Sequence, residues 1–333
     1  MRKARLLTGV ATAALLLAAC SDSNKVDNNA TSNSTSTNAN AGTTTDKANL
    51  TFAVVTHGSA GDKFWDVVKA GAEKAGNDLG IKVTYQSDGS PEKQSQLIDT
   101  AVSQKVSGLV VSMADPAALK ASVEKAVAAG IPVITINSGE ESSAAFGAIT
   151  HVGQSEGVAG QGAGTALKNA GVKHLLCVVH EAGNIGLEQR CNGAKATLGG
   201  TVTNLQVDVS NLADASSKIK AKLQSDKSID GVLTLNNGVA IAARDAIRDA
   251  SSAAKLATFD LDATVIDAIK SGQILFAIDQ QQYLQGYLPI TLLYLYKTNL
   301  NIAGGGQPVL TGPGFVTKDN ADQIATLAGQ GTR

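Results

Sequence analysis

Polar side chains stand directly after most of the short apolar runs in this chain. They are His57, Ser112 with Asp115, Asn137, Glu181, Asn236 with Asn237, Asp260, and Asp279 with Gln280. Carboxylates and amides can each form two hydrogen bonds with vicinal hydroxyl groups. Asp, Asn and Ser are also common in turns and at helix N-caps, so any one of these residues taken alone favours a capping role. The set as a whole favours a polar-lined cleft.

One motif has the spacing of a serine nucleophile. Gly153–Gly157 fits the nucleophile-elbow pattern around Ser155. A serine hydrolase of this kind also needs an acid and then a histidine later in the chain. The histidines beyond Ser155 are His174 and His180, and the only acid between Ser155 and either of them is Glu156. We therefore do not expect an enzyme.

Two glycine-rich segments are incomplete versions of phosphate-binding motifs. Gly71–Gly76 has the first spacing of a phosphate loop, but Asn77 stands where the lysine is required. Gly160–Gly164 lacks the last glycine of the dinucleotide fingerprint, because Thr165 is there. The four histidines show no close ligand spacing. We expect no cofactor and no metal.

From Leu50 onward, short β-branched runs alternate with segments whose apolar residues recur every three or four positions. The predicted strands are Leu50–Thr56, Ile81–Gln86, Gly108–Ser112, Pro132–Asn137, His174–His180, Val202–Asp208, Gly231–Leu235, Lys255–Phe259 and Leu275–Asp279. The predicted helices include Lys63–Leu79, Glu92–Gln104, Ala117–Ala129, Asp214–Ser225, Val239–Ala250 and Ala263–Ser271. This alternation predicts an α/β fold with parallel sheets covered by helices. Ligands bind beyond the carboxyl ends of such strands, where the polar residues would meet.

The length and composition limit the class of protein. The chain has 333 residues, of which 43% are apolar and 17% charged, with 28 basic and 29 acidic side chains. This balance excludes a disordered chain and a nucleic-acid binder with a broad basic surface. The length exceeds one core, and nine or more strands divide naturally into two sheets. The pattern is interrupted near His151–Gln154, which predicts the first crossing between two lobes.

The first 48 residues resemble an export signal and a tether. Residues 1–19 combine a basic start with an apolar stretch too short to span a bilayer, as in a signal peptide. Leu17–Cys20 resembles a bacterial lipobox, in which the Cys20 thiol is lipidated. An ordinary signal peptide that contains a cysteine is the alternative. Residues 20–48 are rich in Ser, Thr and Asn, which predicts a flexible linker on a lipid anchor.

Several segments of the mature chain together resemble one family. They are Phe52–Val55, Asp62–Trp65, Gly71–Ala72, Gly130–Asn137, Asn236–Asn237, Thr258–Asp260 and Ala277–Gln280. The resemblance is to periplasmic sugar-binding proteins of the ribose/galactose type, the solute receptors of ABC importers. It implies two Rossmann-like lobes joined by a three-segment hinge that closes over one sugar. We assign residues 49–153 with 281–310 to the N-terminal lobe and residues 154–280 with 311–333 to the C-terminal lobe.

The resemblance also implies a set of ligand-binding residues. Those on the N-terminal lobe are His57, Phe64, Trp65, Ser112 and Asn137. Those on the C-terminal lobe and hinge are Gln154, Arg190, Asn236, Asp260 and Gln280. The family often has an Asp-Arg pair where this chain has Asn137 and Ser138, so one charged contact with the ligand is missing. This departure argues against ribose.

The adjacent aromatic residues Phe64 and Trp65 are expected to sandwich the sugar ring. Apolar faces of sugar rings stack on aromatic side chains. Core packing at the start of a helix is the alternative interpretation. Two neighbouring residues are not expected to face the same core stripe, and Trp65 is the only tryptophan in the chain. Both arguments favour the binding role.

Cys177 and Cys191 are fourteen positions apart. In an exported protein the pair is compatible with a disulfide that braces the loop Glu181–Gln189, or with two free buried thiols. Similarity to distant relatives with Cys-x-x-His-Glu followed by Gln-Arg-Cys favours the disulfide.

The predicted partners follow from the resemblance. They are a neutral monosaccharide or polyol and the membrane subunits of an ABC permease, with the receptor acting as a lipid-anchored monomer outside the cytoplasmic membrane or in the periplasm. A lipid-tethered sugar sensor that presents its ligand to a membrane receptor is the alternative. A transcriptional repressor shares the core fold, but an export signal stands here in place of its basic helix-turn-helix.

Overall fold

A computed structural model of the protein describes residues 49–59 and 61–333. The predicted signal peptide, the lipidation site Cys20 and the linker 20–48 lie outside the described residues. Within the described ranges, no helix is both long enough and apolar enough to cross a membrane.

Strands and helices alternate along almost the whole described chain. The strands are β1 (Thr51–Thr56), β2 (Lys82–Ser87), β3 (Gly108–Ser112), β4 (Val133–Ile136), β5 (Thr150–Gln154), β6 (His174–Val179), β7 (Thr201–Gln206), β8 (Gly231–Thr234), β9 (Lys255–Phe259), β10 (Phe276–Asp279), β11 (Val309–Gly312) and β12 (Gly314–Thr317). The helices are α1 (Lys63–Leu79), α2 (Pro91–Ser103), α3 (Pro116–Ala128), α4 (Glu140–Ser143), α5 (Glu156–Asn169), α6 (Ile185–Leu198), α7 (Leu212–Ser225), α8 (Asn237–Asp249), α9 (Ala263–Lys270), α10 (Gln282–Asn299) and α11 (Ala321–Gly329).

The strands form two six-stranded sheets with the same strand pattern. The first sheet has the order β11-β5-β4-β3-β1-β2, and the second has the order β12-β10-β9-β8-β6-β7. Each strand of β1 to β5 therefore has a counterpart among β6 to β10. The predicted α/β fold with two sheets is confirmed.

Parallel pairing is not complete, in contrast to the sequence prediction. All pairs in the first sheet are parallel, but β12 runs antiparallel to β10 at the edge of the second sheet. The two edge strands β11 and β12 were not predicted. Each of these strands has only four residues, and Pro313 alone separates them, so the sequence pattern predicts a loop there.

Each sheet has apolar cores on both faces. In β1, Phe52 and Val54 belong to one buried cluster, while Ala53 and Val55 belong to another. The same alternation in β6 places Leu176 and Leu175 on opposite faces of the second sheet. This arrangement explains the continuous apolar runs, because successive side chains of a strand point to opposite faces and both faces are covered by helices.

Along residues 61–333 the chain crosses between the sheets three times. The first crossing follows β5 at Ser155, the second lies between β10 and α10, and the third is the short connection from β11 to β12. The first crossing was predicted near His151–Gln154, and the chain leaves the first sheet at Ser155, directly after these residues, which form most of strand β5. Gln154 pairs with Gly312 in the first sheet, so it does not begin the second lobe as the assigned boundary required.

Two close helix contacts fix the helices beside these crossings. A Cβ atom on Gly286 of α10 would lie 1.9 Å from the carbonyl oxygen of Val68 in α1. Likewise, a Cβ atom on Gly160 of α5 would lie 2.2 Å from the carbonyl oxygen of Arg190 in α6. Only glycine allows these backbones to approach so closely. The second contact lies directly behind a residue of the candidate site.

Candidate functional site

A small cavity of about 20 Å³ lies where the carboxyl ends of strands from both sheets meet. The residues that line it are His57, Asp62, Phe64, Trp65, Asn137, Ser138, His180, Glu181, Asn184, Leu187, Arg190, Leu235, Asn236, Asp260 and Gln280. Most of these side chains are polar, and they follow β1, β4, β6, β8, β9 and β10 in the chain. Of the strand-end residues singled out in the sequence, six line this cavity: His57, Asn137, Glu181, Asn236, Asp260 and Gln280. The other four do not line it: Ser112, Asp115, Asn237 and Asp279.

Two of the predicted site residues lie behind the cavity wall. The Ser112 hydroxyl accepts a hydrogen bond from the backbone N–H of His57 and is joined to its ring Nδ1 at 2.7 Å. Gln154 donates from Nε2 to Glu156 at 2.9 Å. Both residues hold other side chains in place, so the prediction that they contact the ligand is replaced by a supporting role.

The aromatic pair lines the cavity but does not form the expected sandwich. The rings of Phe64 and Trp65 meet at an angle of 81° with centroids 5.0 Å apart. Perpendicular rings present one face and one edge, so they cannot clasp a flat ring between them. Both side chains also belong to the same apolar cluster, and Trp65 is only 5% exposed. Core packing and cavity lining are therefore combined in these two residues.

A buried ion pair holds Arg190 against the cavity. Glu156 accepts from Arg190 Nε at 2.6 Å and from Nη2 at 2.8 Å, and both side chains are almost fully buried. Arg190 also donates to the carbonyl oxygen of Leu235, and its guanidinium lies 4.6 Å from the ring centroid of Phe259. Bidentate pairing of this kind fixes the guanidinium plane and neutralises its charge. Glu156, on the first turn of α5, was not identified from the sequence as a site residue.

Asp260 follows β9 and is buried in the cavity wall. Burial raises its pKa to about 7, against the opposing effects of the nearby Arg190 and of the hydrogen bond from Gln280. Gln280 Nε2 donates to Asp260 Oδ1 at 2.6 Å. The carboxyl group is therefore poised to gain a further hydrogen-bond donor, such as a ligand hydroxyl.

Asn137 occupies the matching position after β4 in the first sheet. Its Nδ2 donates to Gln280 Oε1 at 3.1 Å and to Gln285 Oε1 at 3.3 Å. The amide of Gln280 thus connects Asn137 to Asp260 across the two sheets. Gln285, which lies on α10, was another residue that the sequence analysis missed.

Asp62 connects the start of α1 to the second sheet. Its Oδ1 accepts from the backbone N–H of Phe64 at 3.1 Å and from Asn236 Nδ2 at 3.2 Å. Burial raises the pKa of Asp62 to about 6, although the bonds from Phe64 and Asn236 act in the opposite direction. The side chain caps a helix and lines the cavity at the same time.

His57 faces two residues of the second sheet's loops. Asn184 Nδ2 lies 3.4 Å from His57 Nε2, and Glu181 Oε2 lies 3.7 Å from the same nitrogen. Burial lowers the pKa of His57 to about 3, so the ring is neutral near pH 7. Neutral His57 is therefore hydrogen-bonded to Asn184, whereas Glu181 lies just beyond hydrogen-bonding distance.

Several lining residues escaped the sequence analysis. They are Asp62, Ser138, His180, Asn184, Leu187 and Leu235, together with Glu181, which was recognised only as a strand-end residue. Asp62 and Asn184 are N-caps of α1 and α6, so their position directly before a helix was the available signal.

A disulfide joins β6 to α6 beside the cavity. Cys177 and Cys191 are bonded, with Cα atoms 6.0 Å apart. Cys191 directly follows Arg190 in α6, and β6 leads into His180 and Glu181. The bridge therefore restrains the two elements that supply this part of the wall.

Comparison with known proteins places the chain in a family. A family model described as a periplasmic binding protein domain matches residues 52–299, well over half of the chain. The chain therefore belongs to the periplasmic binding protein family, which confirms the resemblance found in the sequence motifs.

Individual relatives agree with this placement. A carbohydrate transporter from Acidothermus cellulolyticus 11B, solved in complex with myo-inositol, is 43% identical, with a TM-score of 0.84 over 85% of this chain and 99% of that one. A xylose/arabinose-binding protein of Sulfolobus acidocaldarius is 27% identical over 72% of this chain, and the match spans 65% of that protein's length. A solute-binding protein from Burkholderia graminis, solved with D-arabinose, shares the fold at 21% identity, with a TM-score of 0.75 over 83% of this chain and 97% of that one.

Proposed function

We propose that this protein is the solute receptor of an ABC importer and captures a monosaccharide or polyol in the cavity between its two sheets. The observation that supports this most directly is the composition of the cavity wall. Carboxylates, amides and a guanidinium from both sheets converge on one buried space beside the Trp65 indole. Such a wall can satisfy many hydroxyl groups at once.

The relative with bound myo-inositol makes a cyclic polyol of that size the first ligand to test. Among residues 49–59 and 61–333, Asp260 forms no salt bridge with a lysine or arginine, so its carboxyl group has capacity to bind a hydroxyl. The amide of Asn137 can likewise bind hydroxyl groups. A buried polar group left without a partner costs free energy, so loss of a single matching hydroxyl is expected to weaken binding strongly.

The export and assembly predictions belong to the same proposal. Cleavage before Cys20 and lipidation of its thiol would hold the receptor at the outer face of the cytoplasmic membrane. The linker 20–48 would let the binding lobes reach the permease. We propose that the receptor works as a monomer, because one chain supplies both walls of the cavity.

Calorimetric titration with a panel of sugars and polyols tests the binding proposal. The panel includes myo-inositol, D-xylose, L-arabinose, D-glucose and D-ribose, and ligand binding to the folded state should also raise the melting temperature. We expect Asp260→Ala and Trp65→Ala to weaken binding of the best ligand roughly 10- to 100-fold or more while the ligand-free proteins stay folded. Asp319→Ala, at an exposed aspartate far along the chain, is the matched control and should bind normally.

The outcomes separate the possibilities. If no member of the panel binds, the proposed function is wrong, and if both cavity variants bind normally, the site assignment is wrong. Uptake of the labelled ligand in a deletion strain then distinguishes a transport receptor from a sensor, because only the former is needed for uptake.

A further inference from the structure

The cavity wall has more negative than positive groups. Arg190 is the only lysine or arginine among its lining residues, and Glu156 already neutralises it through two short hydrogen bonds. The lining carboxylates Asp62, Glu181 and Asp260 form no ion pair with any lysine or arginine among residues 49–59 and 61–333. A buried carboxylate without a cation is costly unless a ligand compensates it.

Three acceptors in this wall lie close together. Asp62, His180 and Glu181 each offer one atom, and these atoms all lie within 4.8 Å of one another. Asp62 comes from the start of α1, whereas His180 and Glu181 follow β6, so the cluster spans both sides of the cavity.

One member of the cluster has a buried atom with no partner. His180 is only 6% exposed, and its Nδ1 makes no hydrogen bond within the described part of the chain. Burial lowers the pKa of His180 to about 4, so one ring nitrogen is an unprotonated acceptor near pH 7. The hydrogen bonds described for Asp62 reach Oδ1, and those for Glu181 reach Oε2, which leaves the second oxygen of each for a ligand.

An ammonium group matches this arrangement of acceptors. It donates three hydrogen bonds in tetrahedral directions, and charge-assisted bonds of this type are about 2.7–2.9 Å long. Acceptors around one such nitrogen are therefore about 4.5 Å apart, as follows from those bond lengths. A neutral hydroxyl has only one proton to donate and cannot serve three acceptors as a donor.

We propose that the preferred solute is a polyol bearing a protonated amine, an amino sugar or aminocyclitol, whose ammonium binds between Asp62, His180 and Glu181. This inference rests on the proposed function and names the ligand class for the same cavity. The remaining hydroxyls would contact Asn137, Asp260 and the other polar residues of the wall. Anionic solutes such as uronates and sugar phosphates would be excluded by the same carboxylates.

Titration calorimetry of the full-length protein at pH 7 with matched ligands tests the inference. Amino-deoxy isomers of myo-inositol and D-glucose are compared with the parent compounds and with their N-acetyl derivatives, which lack the charge. We expect at least one amine to bind roughly 10- to 100-fold more tightly than its parent, and the N-acetyl form to lose this gain. Asp62→Asn and Glu181→Gln should each reduce the amine-to-parent affinity ratio towards one, whereas Asp319→Asn should leave it unchanged.

The result on the wild-type protein alone decides the main question. If parent polyols bind and no amine binds more tightly, the inference is wrong and the proposed function stands. If neither class binds, the proposed function fails. A metal ion is the other possible occupant of such a cluster, so the protein is also titrated with Ca²⁺ and with Zn²⁺ in the absence of polyol. The inference is overturned if a metal binds, if this binding is lost in Asp62→Asn, and if no amine is preferred over its parent.

Discussion

Asn137 and Asp260 adopt an unusual backbone conformation at equivalent places in the two sheets. Their φ angles are 61° and 63°, in the left-handed region that most residues avoid. Asn and Asp tolerate this region better than other non-glycine residues, and strained positions concentrate at binding sites. Each follows the corresponding strand, β4 or β9, and each is bonded to Gln280. In both walls of the cavity, a residue with a left-handed backbone conformation directly after a strand therefore presents a polar side chain.

The raised pKa of Asp260 predicts a specific dependence of stability on pH. Its folded-state pKa of about 7 exceeds the ordinary value of 3.8 because the carboxyl is buried. Between these values the native protein holds a proton that the unfolded chain releases, so this residue favours folding at low pH and disfavours it as the pH rises to 7. Asp260→Asn removes that effect and keeps an oxygen for Gln280.

Chemical denaturation of Asp260→Asn and wild type at pH 4.5 and pH 7.5 measures this contribution. We expect the free energy of unfolding of the variant, relative to that of wild type, to be higher at pH 7.5 than at pH 4.5, because the buried wild-type carboxyl is ionised to a greater extent at the higher pH. Buried histidines such as His57 have the opposite pH dependence, but they are common to both proteins and cancel in the difference. An equal difference at the two pH values would contradict the raised pKa of the buried Asp260.

The elements show why sequence patterns located the site but missed part of it. Asn236 was ambiguous between a helix cap and a ligand contact, and it both caps α8 and lines the cavity. Its Oδ1 accepts from the N–H groups of Gly238 and Val239, while its Nδ2 donates to Asp62. The two interpretations were wrongly treated as exclusive, and for that reason the caps Asp62 and Asn184 were not added to the site.

The remaining omissions have a different physical cause. Strand β5 contains Gly153 and polar residues, and β11 and β12 have only four residues each, so none has a long apolar run. Their pairing is determined by distant strands rather than by local propensity. The Glu156–Arg190 ion pair joins residues 34 positions apart on two helices, and no local pattern reveals such a pair.

The disulfide between β6 and α6 is predicted to stabilise the second sheet. It closes a loop of fourteen positions, for which the chain-entropy argument gives roughly 3 kcal/mol. We expect the Cys177→Ser/Cys191→Ser variant to lose an amount of this order in unfolding free energy. It should also bind ligand more weakly, because α6 positions Arg190.

Chemical denaturation with and without reductant measures the contribution of the disulfide. Every protein in this comparison carries Cys20→Ser, so that Cys177 and Cys191 are the only cysteines that reductant can affect. Reductant should lower the stability of the parent to that of the double variant and leave the variant unchanged. Equal stability of parent and variant under oxidising conditions would contradict a stabilising bridge.

At the scale of the whole molecule, the cavity is closed by side chains from both sheets. Asn137 bonds to Gln280, Asn184 to His57 and Asn236 to Asp62, and each pair joins residues associated with different sheets. Within the described part of the chain, three segments connect the sheets, which is the arrangement that allows hinge motion. We infer that a solute enters by separation of the lobes and then adds its own hydrogen bonds to these cross-links.

This view predicts that ligand makes the molecule more compact. Small-angle X-ray scattering should give a smaller radius of gyration when the best ligand of the panel is added to ligand-free protein. The same concentration added to Trp65→Ala, which is expected to bind poorly, should produce no change. An unchanged radius for saturated wild-type protein would argue against closure of the lobes.

Trp65 has a practical consequence because it is the only tryptophan in the chain and lines the cavity. Its indole lies 4.7 Å from the His57 ring, measured between centroids, in an almost dry setting. Entry of a solute changes the surroundings of that one fluorophore and of no other indole. The fluorescence of Trp65 should therefore shift on binding, so binding can be followed with the unlabelled protein.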